Sequence, residues 1–406
     1  MNPKLQQLYD RAYKELTENL LPWWMQYGVD NENGGFYGAV DLDNKPVPHA
    51  AKHIVLNARL IWTFSNAYRV LGDPKYKEMA DRAFNYFKTY FWDKENGGAY
   101  QELDEFGKPI SRIKFIYGNA FTMYGCSEYF RATGNEEALE MAKTVLEKME
   151  AFVYDKEYKG YFEACTEDWK HNSWLHGVNH APTDEKTMNN HLHIIEAYTC
   201  LLRSYKAPLM QNKVREQLYV MLNKIVDNDI HHYVVFQKRD WTPTTREVSY
   251  GHDIEGSWLM METAEVLGEP EAIRKTRDIS VQMARACLEE GFNEKGFMMT
   301  EYDIMTDRWS KHVSWWEQNE AVVGFLNAWE LTGEEKFLDA SLKCYDAIDK
   351  YFVDHNGGGW FPVLDLEGNN VSPIKANGWT CPYHNGRMCM EIIERYRRIK
   401  AEEEAK

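Results

Sequence analysis

The chain has 406 residues, with 63 acidic against 47 basic side chains and a formal net charge of −16 at neutral pH. That balance argues against nucleic acid or an anionic membrane as partner, because neutralising phosphates needs clustered Lys and Arg. No run of about 18 apolar residues free of charge occurs, so no membrane span is expected, and the predicted ligand is a neutral or cationic small molecule.

The first residues, Met1 to Leu8, enter directly into an amphipathic pattern, without an apolar stretch followed by a small-residue cleavage site. No export is expected. The seven cysteines, Cys126, Cys165, Cys200, Cys287, Cys344, Cys381 and Cys389, are scattered without a C-x-x-C pair. They are expected to stay reduced, as in a cytoplasmic protein.

From residue 34 onward a glycine-aromatic turn recurs: Gly34-Gly35-Phe36-Tyr37, Gly97-Gly98-Ala99-Tyr100, Gly160-Tyr161-Phe162, Gly296-Phe297 and Gly357-Gly358-Gly359-Trp360. The spacing is roughly 60 residues, with one double interval in the middle. The missing member falls near His232-Tyr233-Val234-Val235-Phe236, which keeps the aromatic character without glycine. Out of phase with this marker, Leu71-Gly72-Asp73, Thr133-Gly134-Asn135, Leu267-Gly268-Glu269 and Thr332-Gly333-Glu334 predict a helix ending at glycine with a second helix following. Between the markers apolar residues recur at helical spacing, as in Ala58, Ile61, Trp62 and Leu71, or Ala321, Phe325, Ala328 and Trp329. Val40-Asp41-Leu42-Asp43 and Leu364-Asp365-Leu366-Glu367-Gly368 alternate, and predict short hairpins on loops.

Six units of two helices cannot each bury a face alone, whereas stacking them into a ring makes a continuous core and removes the ends. The expected fold is therefore all-α, an (α/α)6 barrel with short β-hairpins on the loops at one end. It forms a single domain over 1–406. An open helical solenoid would need polar capping repeats, which neither end shows.

The chemistry-bearing residues follow in chain order. Arg59 is a charge in an otherwise buried helical pattern and needs a partner, either substrate or an acidic residue such as Glu255 or Glu320. Tyr117 is placed similarly. In Asn189-Asn190-His191-Leu192-His193, Asn189 and His193 share a helix face, while His191 points away and is expected to be structural. His252 and Glu255, three apart at the start of a helix, could pair, with the carboxylate orienting the imidazole; otherwise His252 caps the helix. In Trp315-Trp316-Glu317-Gln318-Asn319-Glu320, with His312 upstream, one tryptophan can enter the core while its neighbour, about 100° round the helix, faces a cleft. Trp379 and Tyr383 wall the loop that carries His384, whose regular helix is expected only from Arg387 onward. His193, His252 and His384 could in principle ligate zinc, but no H-E-x-x-H or C-x-x-C spacing supports a metal, and no glycine-rich phosphate loop supports a cofactor. None is expected.

With these segments the chain resembles the N-acylglucosamine 2-epimerase superfamily, most closely its cellobiose 2-epimerases. The likeness lies in Lys186 to His193, Tyr250 to Glu255, Trp315 to Glu320 and Cys381 to Arg387, within a match over nearly the whole chain. The resemblance implies an (α/α)6-barrel isomerase that inverts C2 of the reducing-end glucose of β-1,4-linked disaccharides such as cellobiose or lactose, without metal or nucleotide. It implies a site of Arg59, Tyr117, Asn189, His193, His252, Glu255, Trp316, Trp379 and His384. In that site His252 and His384 exchange the C2 proton, and His193 assists at ring opening or at a sugar oxygen. Arg59 and Tyr117 stabilise an oxyanion, Glu255 orients His252, Asn189 binds hydroxyls, and Trp316 and Trp379 stack on the sugars. A monomer acting in the cytoplasm is expected. Other activities that remain open are aldose-ketose isomerisation, epimerisation of N-acylglucosamine or mannose, inverting glycoside hydrolysis with Glu255 and Glu320, and sugar binding without catalysis.

Overall fold

In the computed structural model, which describes residues 2–170 and 185–405, the described residues form twelve long helices that alternate between an outer and an inner ring. The outer helices are α1 (Pro3–Lys14, continued by π-helical turns to residue 28), α3 (Pro74–Tyr86), α5 (Glu136–Phe152), α7 (Pro208–Val220), α9 (Pro270–Ala286) and α11 (Glu335–Ala347). The inner helices are α2 (Ile54–Leu71), α4 (Ile116–Thr133), α6 (Met188–Ser204), α8 (Tyr250–Leu267), α10 (Trp315–Thr332) and α12 (His384–Glu404). Each inner helix packs on the next, and α12 returns to α2 and closes the ring. The expected (α/α)6 barrel is thus the observed fold. Among the described residues no helix is long and apolar enough to cross a membrane.

The two rings differ because their sequences differ. Outer helices such as α9 bury one stripe, Ala272, Thr276, Ser280, Met283 and Ala284, and expose the rest. Nearly every residue of α2 from Ile54 to Ala67 is buried, since this helix is enclosed by neighbours on both sides and by the outer ring. Inner helices approach closely where a glycine permits it. A Cβ at Gly125 of α4 would lie 2.6 Å from the Ala58 carbonyl oxygen of α2. The glycines expected to end helices do so: Gly72, Gly134, Gly268 and Gly333 take φ of 74°, 73°, 75° and 72° and cap α2, α4, α8 and α10.

The glycine-aromatic turns close each outer helix with a short antiparallel bridge, such as Trp92 to Ala99 and Val353 to Trp360. In the unit without glycine, His231 takes the left-handed position at φ 61°, and Val226 pairs with Tyr233 as in the other units. The hairpins do more than decorate loops. The segment before each inner helix pairs with a strand of the following unit: Lys52–His53 with Glu102–Leu103, Lys114–Phe115 with Ala164–Cys165, Lys186–Thr187 with Phe236–Gln237, Glu247–Ser249 with Glu301–Asp303, and His312–Ser314 with Val363–Asp365. Ile374–Ala376 then pairs with Val40–Asp41, which stitches the last unit to the first.

At these same junctions four buried ion pairs recur: Lys52 with Asp30 at 2.8 Å, Lys114 with Asp93 at 2.8 Å, Lys186 with Asp155 at 3.0 Å and Lys375 with Asp354 at 2.7 Å. The aspartate also accepts backbone N–H groups of its own turn, as Asp93 does from Glu95 and Asn96. The lysine therefore ties an outer-helix exit to an inner-helix entry. Removing one member of a buried pair leaves the other charge uncompensated, so Lys114→Ala is expected to lower unfolding free energy by about 3–5 kcal/mol. A urea titration reads this as a shifted midpoint; an unshifted midpoint would show that the pair is not a structural tie.

Candidate active site

The inner-helix N-termini gather at the hairpin end of the barrel, and the predicted residues lie on their first two turns, with Trp379 on the loop before α12. His252 is the third residue of α8, Trp316 the second of α10 and His384 the first of α12. Helix α12 begins at His384 rather than at Arg387, because the Pro382 and Tyr383 carbonyls already accept from Gly386 and Arg387. The Trp316 ring is half-buried and neighbours two imidazoles, 4.7 Å from His252 and 5.7 Å from His384. His193, on α6, packs edge-on against Tyr117 at 4.9 Å. The tyrosine hydroxyl accepts from Arg59 at 2.9 Å. Trp379 is 46% exposed at the mouth, where its ring lies 5.8 Å from Tyr117 and 5.1 Å from His53. Asn189 is half-buried, and its buried Oδ1 has no partner. Burial and the charge of His193 hold His252 down at about 3. Burial, then the charges of Arg59 and Arg387, hold His384 well below the usual imidazole range. Both shifts favour the unprotonated imidazole.

Beneath these rings lies a cluster that links three inner helices to α12. Arg387, 1% exposed, reaches Glu196 of α6, Glu255 of α8 and, at 2.7 Å, Glu320 of α10. Tyr383 donates to Glu196, and Trp258 donates to Glu320 at 3.0 Å. Burial, with the charge of Glu320, pushes Glu255 up to about 7. Burial also pushes Glu196 up, but Arg387 and His193 together bring it below the usual carboxylate value.

The cluster sets imidazole tautomers. Glu320 faces Arg387 and Trp258, which only donate, so it is a carboxylate that also accepts from His384 Nδ1 at 2.7 Å. The His384 Nε2 lone pair is left free. His193 Nδ1 likewise meets a carboxylate, Glu196, at 2.8 Å.

Two expected contacts are corrected. Glu255 does not orient His252: one helical turn deeper, it binds Arg387 and lies 4.0 Å from His384 Nδ1, while His252 Nδ1 meets the Ser249 hydroxyl at 2.8 Å. Nor does Arg59 pair with Glu255 or Glu320. Its guanidinium lies over the Phe121 and Tyr383 rings, at 4.2 and 4.6 Å, and bonds Tyr117 and the Trp379 carbonyl. His312 is exposed on a strand and stands apart, and His191 is structural, accepting the Tyr161 N–H at 3.0 Å.

Ser249, Glu196 and Arg387 are thus the partners that reading the sequence missed. Ser249 acts from a strand end and Arg387 from another helix of the ring, whereas Glu196 lies three residues after His193 on α6, a spacing visible in the sequence, as was Arg387, a cation inside a helical apolar pattern.

Among the described residues, Glu255, Glu320 and His384 could together face a cation, with one ligand atom of each within 4.8 Å of the others. The Arg387 guanidinium occupies that position between the two carboxylates. The same spacing opposes inverting hydrolysis, which needs its two carboxyl groups about 6.5–9.5 Å apart with water between them.

Residues 35–386 match the family model described as N-acylglucosamine 2-epimerase. A cellobiose 2-epimerase of Bacteroides fragilis is 40% identical over 387 residues, 95% of this chain and 98% of that protein. One of Dictyoglomus turgidum is 35% identical, over 96% of this chain and 99% of its own. The solved structure of a cellobiose 2-epimerase from Bacillus thermoamylovorans matches at a TM-score of 0.92 and 32% identity, covering 96% of this chain and all of that one.

Proposed function

The chain belongs to the N-acylglucosamine 2-epimerase family and is a sugar epimerase, and from that premise we propose that it inverts C2 of the reducing-end glucose of β-1,4-linked disaccharides such as cellobiose and lactose. The relatives' own names support the disaccharide. The mechanistic reading rests on one observation: two imidazoles border the same indole, each with Nδ1 occupied by a partner, so that Nε2 is the atom left for chemistry.

In the open-chain sugar the C2 proton is α to the C1 aldehyde. One imidazole Nε2 takes it, and the C–H electron pair moves into an enediolate with negative charge on O1. The second imidazole, protonated at Nε2, delivers its proton to the other face of C2, and the electrons return to rebuild the aldehyde. His252 and His384 exchange these roles when the reaction runs backwards. Arg59 and Tyr117, hydrogen-bonded to each other, supply donors for O1. His193, backed by Glu196, moves the proton between ring oxygen and O1 during ring opening. Trp316 and Trp379 offer faces to the two sugar rings, and the free Asn189 Oδ1 accepts from a hydroxyl.

Incubation with cellobiose, lactose, mannose and N-acetylglucosamine, followed by chromatography, is expected to give the intact epimerised disaccharides as main products. Released monosaccharide would establish hydrolysis instead, and turnover of N-acetylglucosamine alone would move the substrate to acylated monosaccharides.

A further inference from the structure

The three site histidines do not have equivalent supports. His193 and His384 each face a carboxylate through Nδ1, whereas His252 faces only the hydroxyl of Ser249, at 2.8 Å. Ser249 is 3% exposed and stands at the N-cap of α8, its backbone fixed by strand pairing opposite Glu301. At the matching place before α6, the Thr187 hydroxyl does what such a residue usually does and accepts the backbone N–H of Asn190, at 3.1 Å. The Ser249 side chain makes no capping bond to its helix. Its hydroxyl is turned instead to the imidazole of the residue whose N–H it would otherwise cap.

Chemistry distinguishes the two kinds of support. A carboxylate only accepts, so it fixes the proton of its imidazole on Nδ1. A hydroxyl both accepts and donates. It can accept from His252 Nδ1–H, leaving Nε2 free to take a proton, and it goes on accepting from the same Nδ1–H in the imidazolium that returns the proton from Nε2. We propose that Ser249 is the positioning residue of His252, holding its ring with Nε2 toward the substrate by accepting from Nδ1–H in both the imidazole and the imidazolium state. This rests on the reading above, in which His252 transfers the C2 proton.

Threonine and valine at this position have nearly the same shape and differ by the hydroxyl, which makes them the test. Ser249→Thr is expected to keep kcat within about threefold, while Ser249→Val loses about 10–100-fold in kcat, the range found for groups that orient metal-bound imidazoles through the other ring nitrogen. KM stays within about twofold in both, and both melt at similar temperatures. Equal kcat in the two variants would overturn the inference while leaving the proton-transfer scheme intact. Full activity in His252→Ala, measured alongside, would overturn the scheme itself and the role of Ser249 with it.

Discussion

Alanine at His384 is expected to lower kcat for C2 inversion by about 10²–10⁴-fold, the range that a positioned proton-transfer group contributes, while KM changes only a few-fold. The side chain is aligned rather than merely present, since Glu320 holds Nδ1 and the neighbouring Trp316 and Tyr383 rings, at 5.7 and 4.7 Å, fix its plane. Its loss removes the proton carrier on one side of C2. The aromatic faces, Asn189 and the Arg59–Tyr117 pair stay in place to bind sugar. Stability is expected to hold, because Glu320 keeps its bonds to Arg387 and Trp258. Steady-state kinetics with cellobiose tests this directly. A kcat within tenfold of the parent enzyme would mean that another group transfers the proton, and a raised KM at constant kcat would make His384 a binding residue.

Arg387→Leu is expected to be strongly destabilising, by about 3–5 kcal/mol for the loss of a buried charge partner. Three carboxylates from three inner helices converge on that one guanidinium, which also lies over the Trp258 and Tyr383 rings at 4.8 and 4.4 Å. Lysine does not restore it, since one ammonium cannot reproduce the planar fork that bridges separate carboxylates. The deficit has a definite pH dependence. Glu255 already sits at about 7 in the intact protein, above its ordinary 4.5, and without Arg387 it rises further. A carboxyl raised on folding binds more protons folded than unfolded between those two values, so it costs stability at neutral pH and less on acidification. The gap between variant and parent should therefore narrow as pH falls from about 9 toward 7 in urea titrations and change little below that. A variant as stable as the parent, or a gap that widens as pH falls over that range, would contradict the assignment of Arg387 as the countercharge.

Much of this architecture can be read from the chain because it repeats. The glycine-aromatic turns and the glycine helix ends have a period, and a period of two helices that closes on itself leaves few folds. The histidine segments could be placed for the same reason, each falling where an inner helix begins. What escaped is what arises between units. Strands of two or three residues are too short for alternation to show, so the stitching of each unit to the next is invisible before folding. The lysines two residues ahead of Ile54, Ile116 and Met188 did carry a signal, a charge recurring at the head of a buried helix. The partner of His252 was misassigned because spacing on one helix favours Glu255, three residues on, and says nothing about the cation that Arg387 brings from α12. Once that guanidinium claims Glu255, the nearest group left for the imidazole is the hydroxyl at the end of the preceding strand.

The central claim is that two imidazoles serve opposite faces of one carbon, and it is most directly tested by following deuterium into C2 in heavy water. His252→Ala and His384→Ala are each incubated separately with the glucose-ended disaccharide and with its mannose-ended epimer. Each variant keeps one proton carrier, so each should exchange C2 in one epimer only, without inversion, and the two variants should exchange opposite epimers. Exchange of both epimers by either variant, or of the same epimer by both, would contradict the account.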